Sequence, residues 1–395
     1  MKTSILQYAA LLAVTSLPAS RAWLPPVDKI RGVNLGGLFV IEPWMQATSW
    51  STIGCSAYKS EFDCVMNLGQ EAANTAFQKH WDTFITQDDI TQIAGLGLNT
   101  IRIPLGYWIK EDLVYSDSEH FPQGGFTYLE RVCGWAKDAG LYIILDLHGA
   151  PGAQQADQPF TGQYASTPGF YVDYQYERAY KWLEWMTNVT HTNSNFDTVY
   201  AIEVVNEPLQ TASSVTTMID TYYPIAMSRI NSMEGGLGVA TSKKLHVQMM
   251  NQKWGSGDPT KALTDETYAY YDDHHYVKWT SGVTATRDAY MQHSCTNDRG
   301  GNTPVVVGEW SLSPADEDGS EFSIDASDAV SWYSKWWAAQ TISYEKQAGW
   351  IFWSWKVEKI GGRIDWRWGY QQAVAAGVIP SDASEGAKST VCDGY

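Results

Sequence analysis

Two glutamates stand where short apolar runs end, Glu207 in "AIEVVNEPLQ" and Glu309 in "TPVVVGEW". Burying a carboxylate without a partner is costly, so a glutamate that closes an apolar run is either paired inside or offered at the strand tip. Pro208 favours the tip, because proline donates no ladder hydrogen bond and pushes the residue before it toward extended geometry. Regular pairing is therefore expected to stop near Glu207, leaving Asn206 and Glu207 to overhang whatever lies beyond the sheet. Two carboxyls at strand tips can act on a glycosidic bond, one as general acid and base and one as nucleophile. The retaining route asks that they lie about 5 to 5.5 Å apart, with acidities pushed in opposite directions.

Such a pair needs a scaffold that brings distant residues to one face. Short β-branched runs alternate with helical patterns along the chain: "KIRGVNLGG" then 72–86, "LNTIRIPLG" then 128–139, "LYIILDLHG" then 174–188, and "VYAIEVVNE" then 216–231. "KLHVQMM" has little helix behind it, "TYAYYDDHHY" is followed by 284–293, "TPVVVGEW" by 329–345, and "GWIFWSWK" closes the series. Eight apolar strands interleaved with helices indicate a parallel sheet covered on both faces, and eight units predict a closed (β/α)8 barrel in a single α/β domain. A doubly wound open sheet is the alternative.

In a closed barrel the chemistry collects at the C-terminal ends of the strands. Those ends read Arg102, His148, Asn206 with Glu207, His274 with Tyr276, Glu309 and Trp353. Arg102 beside Glu309 would keep a nucleophile ionised. His148 and His274, ordinarily core histidines, fall at the same rim, and Trp353 would floor the subsite that holds the attacked sugar. Asp146, Glu203 and Asp273 read as structural. The segment 149–170, "GSGDPT" at 255–260 and the acidic loop 313–328 follow strands and would wall a cleft.

Composition narrows the partner. The chain has 27 Lys and Arg against 44 Asp and Glu, a net charge of −17, with no basic cluster, so no nucleic acid partner is expected. Nineteen Trp and 23 Tyr exceed what a core needs, and their flat rings suit stacking on sugars. Residues 1–22 carry Lys2, an apolar run from Ile5 to Val14 and small residues at Ser20 and Ala22, the pattern of a secretory signal cleaved after Ala22. That run is too short to span a bilayer, and no later segment approaches about 18 apolar residues, so a secreted protein without a membrane partner is expected, a catalytic domain filling 23–395.

Five cysteines leave one unpaired. Cys133 sits in a helical pattern and reads as a buried free thiol; Cys55 with Cys64 would pin one loop, and Cys295 with Cys392 would tie the tail to the body. No CxxC or HxxxH spacing points to zinc, and no cofactor is expected. Asn188 in "NVT" is an acceptor for glycosylation.

With those residues assembled, the chain resembles glycoside hydrolase family 5, retaining glycosidases on a (β/α)8 barrel, with "NEP" and "GEW" as the motifs of acid and nucleophile. The resemblance spans essentially the whole mature sequence. "RGVNLGGLFVIEPW" is similar to the fungal exo-β-1,3-glucanases of the family, whereas "FQKHWDTFITQDDITQI", "TPGFY", "KWGSGDPT", "DDHHY" and "GWIFWSWK" are more similar to its fungal secreted endo-β-1,6-glucanases. It implies Glu207 as acid/base and Glu309 as nucleophile, with Arg102 and Tyr276 hydrogen-bonding the nucleophile. It further implies Asn206 on the sugar 2-hydroxyl, His274 near the acid, His148 in support, Trp353 as platform and Glu42 on the sugar. Family members place the histidine two residues before the tyrosine, which selects His274 over His275. The expected activity is internal cleavage of β-1,6-glucan by a monomer, with exo-β-1,3-glucanase action as the alternative and a non-catalytic glucan-binding barrel as a more distant one.

Overall fold

The computed structural model describes residues 27–211 and 213–395; the expected signal segment 1–22 lies outside them. Eight parallel strands close a barrel: β1 (Ile30–Asn34), β2 (Thr100–Gly106), β3 (Tyr142–Gly149), β4 (Val199–Glu203), β5 (His246–Met250), β6 (Ala269–His274), β7 (Val305–Glu309) and β8 (Gly349–Phe352). Closure is made by β1 and β8, which pair Ile30 with Gly349 and Val33 with Phe352. The apolar strand sequences are what a sheet buried on both faces requires, and every residue of β2 and β4 to β8 is buried. The open-sheet alternative is excluded. A two-stranded hairpin, β9 (Lys359–Ile360) and β10 (Arg363–Ile364), follows the barrel.

The helices are α1 (Ala47–Ile53), α2 (Glu61–Leu68), α3 (Gln70–Thr83), α4 (Gln87–Gly95), α5 (Gly125–Asp138) and α6 (Asp173–Thr192). They continue with α7 (Ser213–Thr217), α8 (Tyr223–Leu237), α9 (Arg287–Thr296), α10 (Ala329–Tyr344) and α11 (Tyr370–Ala375). The expected single helix over 72–86 ends at Thr83. Thr86 instead caps α4, its side chain accepting from Asp89 N while the Asp89 carboxylate accepts from Thr86 N. Asp89 also accepts from Trp355 Nε1 at 2.9 Å and Lys356 Nζ at 2.8 Å, so the same cap anchors the segment that carries Trp353. Between α7 and α8 the chain widens into a π turn at Met218–Tyr222, just ahead of Pro224, which has no N–H to continue the ladder. β5 is followed only by a short turn at Gln252–Trp254, as the sequence suggests.

Helices pack on the outside of the barrel through large rings: Trp336 and Trp337 of α10 and Trp182 of α6 are fully buried. Many of the tryptophans are therefore packing residues. Disulfides join Cys55 to Cys64 and Cys295 to Cys392, and Cys133 is a buried free thiol. Asn188 lies near the C-terminus of α6, with Thr190 of its sequon buried.

Candidate active site

Sequence reasoning places Arg102 at a strand end; the structure places it in the middle of β2, fully buried inside the barrel. An inward-facing arginine can sit below the rim because its side chain is long enough to reach upward. Its guanidinium donates from Nε to Glu203 Oε2 at 2.8 Å, from Nη1 to Glu309 Oε1 at 2.9 Å and Asn34 Oδ1 at 3.0 Å, and from Nη2 to Asn206 Oδ1 at 2.8 Å. Asp146 Oδ2 is 3.0 Å from Nη2, and Asp272 Oδ2 is 3.6 Å from Nε. One planar fork thus gathers side chains from β1, β3, β4, β6 and β7. Asp146 and Glu203 are structural, as read, but they form the layer directly beneath the site. Asp273 points elsewhere and holds Arg299 through two hydrogen bonds of 2.7 and 2.8 Å.

A single cation divided among four carboxylates cannot neutralise each of them. Burial pushes the Glu203 carboxyl well above its ordinary value, with Asp146 and Asp272 adding to the effect against Arg102. Burial likewise raises Glu309, against the pull of His274 and Arg102. Arg102 favours the ionised form of Glu309 but is shared among its neighbours, and His274 is the larger counterweight to burial. Burial disfavours its charge, but Glu309, Asp272 and Glu207 outweigh burial and hold the imidazole well above its usual range. Its Nδ1 is hydrogen-bonded to Glu207 Oε1 at 2.7 Å and lies 3.5 Å from Glu309 Oε2, while Nε2 faces Asp272 Oδ2 across 3.5 Å as an ion pair without a hydrogen bond. His275 turns away, bonding the Tyr344 hydroxyl at 2.9 Å.

Glu309 ends β7, and Tyr276 donates its hydroxyl to Glu309 Oε2 at 2.9 Å, so both carboxylate oxygens are held. Gly308 is required there: a Cβ at that position would stand 2.0 Å from Asp272 Oδ1. Glu207 differs from expectation. Regular pairing of β4 stops at Glu203, and Glu207, far from extended, takes φ = +36°, a left-handed conformation that costs a non-glycine residue about 1–3 kcal/mol. Neighbouring bonds hold it: Asn206 N to Leu147 O at 3.1 Å, Gln154 Nε2 to Asn206 O at 3.0 Å, and His274 on the carboxylate itself. One oxygen of Glu207, one of Glu309 and a ring nitrogen of His274 all lie within 4.8 Å of one another. These donors suit proton transfer better than metal ligation, since a cationic imidazole has no lone pair to offer.

The other expected residues converge on the same place. Asn206 is 1% exposed, and its Nδ2 has no hydrogen-bond partner among the described residues although it lines the cleft. His148 is fixed by Asp146 Oδ2 at 2.7 Å and stacks on Trp353, centroids 5.6 Å apart and planes 8° from parallel. Glu42 accepts from Trp44 Nε1 at 2.9 Å, and burial pushes its carboxyl up to about 7 against the nearby His148.

Together they line a cleft of about 860 Å³ at the C-terminal ends of the strands. The segment 149–170 contributes Gln155, Gln158 and Phe160, and the acidic loop contributes Glu317. "GSGDPT" does not wall this cleft; it borders a separate cavity of about 410 Å³. Sequence reasoning missed Trp44, Trp254, Trp279 and Trp368 as cleft walls and Asn34 and Asp272 as Arg102 partners. Trp44 follows Glu42 in "IEPW" and Trp254 stands in "KWGSGDPT", so the motifs were in view without their orientation. Trp279, 68% exposed beside the Tyr276 ring, gave no sequence signal.

Comparison with known proteins follows the same line. The family model for cellulase (glycosyl hydrolase family 5) matches residues 65–359. The glucan endo-1,6-beta-glucosidase B of Emericella nidulans is 60% identical over 364 residues, covering 92% of this chain and 88% of that one. A probable glucan 1,3-beta-glucosidase A of Aspergillus fumigatus is 29% identical over 395 residues, covering 90% of this chain and 88% of its own. Among solved structures, the rutinosidase from Aspergillus niger superposes with a TM-score of 0.68 at 18% identity, over 89% of this chain and 97% of that one, which speaks to the fold alone. The barrel, the paired glutamates and a family match over most of the chain lead to one conclusion: the chain belongs to glycosyl hydrolase family 5.

Proposed function

We propose that the protein is a retaining endo-β-1,6-glucanase in which Glu309 is the nucleophile and Glu207 the acid/base. The observation that carries this is that one oxygen of Glu207 and one of Glu309 lie within 4.8 Å of each other and of a ring nitrogen of His274. That spacing fits a double displacement; the inverting route needs about 6.5–9.5 Å to admit a water. A non-catalytic glucan-binding barrel would have no use for a strained Glu207 beside a buried, doubly hydrogen-bonded Glu309.

In the first step Glu309 attacks the anomeric carbon of a glucosyl unit lying on Trp353 while Glu207 protonates the departing oxygen. Tyr276 and Arg102 hold the attacking carboxylate in line, and the free Nδ2 of Asn206 donates to the 2-hydroxyl. Glu42, fixed by Trp44, hydrogen-bonds the same sugar. In the second step Glu207 takes a proton from water, which attacks the glycosyl-enzyme on the face that the leaving group vacated, so configuration is retained. All these groups come from one chain, which supports action as a monomer, and the two disulfides suit a secreted protein.

The β-1,6 linkage is supported by the 60% identity to a protein named for that bond, against 29% for one named for β-1,3. Incubation with pustulan, a β-1,6-glucan, and with laminarin, a β-1,3-glucan, tests it. Early release of short β-1,6 oligomers of several lengths from pustulan is expected. Glucose alone, released faster from laminarin, would overturn the assignment in favour of exo-β-1,3 action.

A further inference from the structure

Beside the catalytic cleft lies the second cavity, about 410 Å³, and Gln210 lines both. We infer that this cavity is a distal binding site for the leaving-group side of the glucan chain, an inference that rests on the function proposed above. The direction follows from the chemistry. With the attacked sugar over Trp353 and Glu207 at the departing oxygen, a chain that leaves past Glu207 meets Gln210, which lies further along the same loop and lines both cavities.

The path is built in advance. Trp254 Nε1 donates to Pro208 O at 2.9 Å and Gln210 Nε2 donates to Trp254 O at 2.8 Å, so the two loops between the cavities form one braced shelf. Across the shelf, Asp258 Oδ1 accepts from Thr260 N at 3.0 Å and Asn302 Nδ2 at 2.9 Å, fixing the "GSGDPT" turn. Gly257, at φ = +95°, presses on the π turn so closely that a Cβ would meet Ile219 Cδ1 at 2.6 Å. The lining pairs an apolar floor, Val215 and Ile219, with polar groups of Thr216, Asp258 and Lys261. A sugar ring has that same division, C–H faces and hydroxyl edges. A 1,6 link has one more rotatable bond than a 1,3 or 1,4 link, so this chain can turn over the shelf where a stiffer glucan would pass straight on. Binding energy gathered there would be available to the reacting centre.

The test uses the full-length enzyme on a ladder of reducing-end-labelled β-1,6-glucose oligomers and on an aryl gentiobioside, whose leaving group ends at the first cleft. With the unaltered enzyme, kcat/KM should climb as units are added on the leaving side, and cleavage should favour bonds that leave several units there. Thr216→Trp, at an exposed position, fills the cavity and should lower kcat/KM for long oligomers about tenfold, roughly the worth of one good contact, while the aryl gentiobioside is cleaved as before. Thr216→Ala, which removes one hydroxyl from the lining without filling the cavity, should lower the long-oligomer rates less than Thr216→Trp does. Long-oligomer rates unchanged in Thr216→Trp, or cleavage indifferent to units on the leaving side, would overturn the inference. Should Thr216→Trp fail on both substrates, the bond preference of the unaltered enzyme decides. An unaltered enzyme that cleaves laminarin but no β-1,6 oligomer would bring down the proposed function itself.

Discussion

Along β3 the inward residues are Ile144, Asp146 and His148; along β6 they are Tyr270, Asp272 and His274. The first of each triplet joins Ile30, Tyr200, Val306 and Ile351 in an apolar plug at the N-terminal end of the barrel. The second carries buried charge around Arg102, and the third meets the cleft. The same strands and the same two-residue period therefore build two unlike regions. The plug stabilises by removing apolar surface from water. The charged layer costs desolvation that its mutual attractions only partly offset, and it earns its place by fixing Glu309, Asn206 and His148.

The strongest way to break this comparison is Arg102→Ala, which leaves Asp146, Glu203, Asp272 and Glu309 around an empty centre. A loss of about 3–5 kcal/mol is expected from denaturant unfolding, together with loss of pustulan hydrolysis. Arg102→Lys should not restore activity, because a point charge cannot serve five strands at once. Unfolding as in the unaltered protein would mean that the charged layer is not a unit.

Ile144→Ala probes the plug. It should cost about 2–5 kcal/mol in unfolding through transfer and cavity terms while leaving the pH profile of hydrolysis where it was. A displaced profile would show that the two layers are coupled.

The subtlest effect is expected from His274→Ala. Burial raises the Glu309 carboxyl and the His274 cation pulls it down. Removing that cation lets the value climb, and since Glu309 must be ionised to attack, the acid limb of kcat/KM for an aryl gentiobioside should move to higher pH. An unmoved or lowered limb would show that His274 does not set the charge of Glu309.

The barrel was legible because buried parallel strands and helices differ in period, and the rim was legible because a barrel presents chemistry at its strand ends. Arg102 was misplaced by one layer: alternation gives the side a residue faces, not its depth. Asp272 escaped notice in "YYDDHHY" because two adjacent aspartates and two adjacent histidines look alike until the strand assigns one of each inward. Pro208 predicts an extended Glu207. Local preference gave way there to tertiary bonds that hold a strained backbone, as happens at sites where position matters more than stability. Trp44 and Trp279 depend on loop paths that no period encodes.

The central claim is that Glu207 and Glu309 act by double displacement. Proton NMR of the anomeric signals during the first moments of pustulan hydrolysis, before mutarotation, tests it most directly. The account predicts that the new reducing ends appear as the β-anomer and relax toward equilibrium; first appearance of the α-anomer would contradict it.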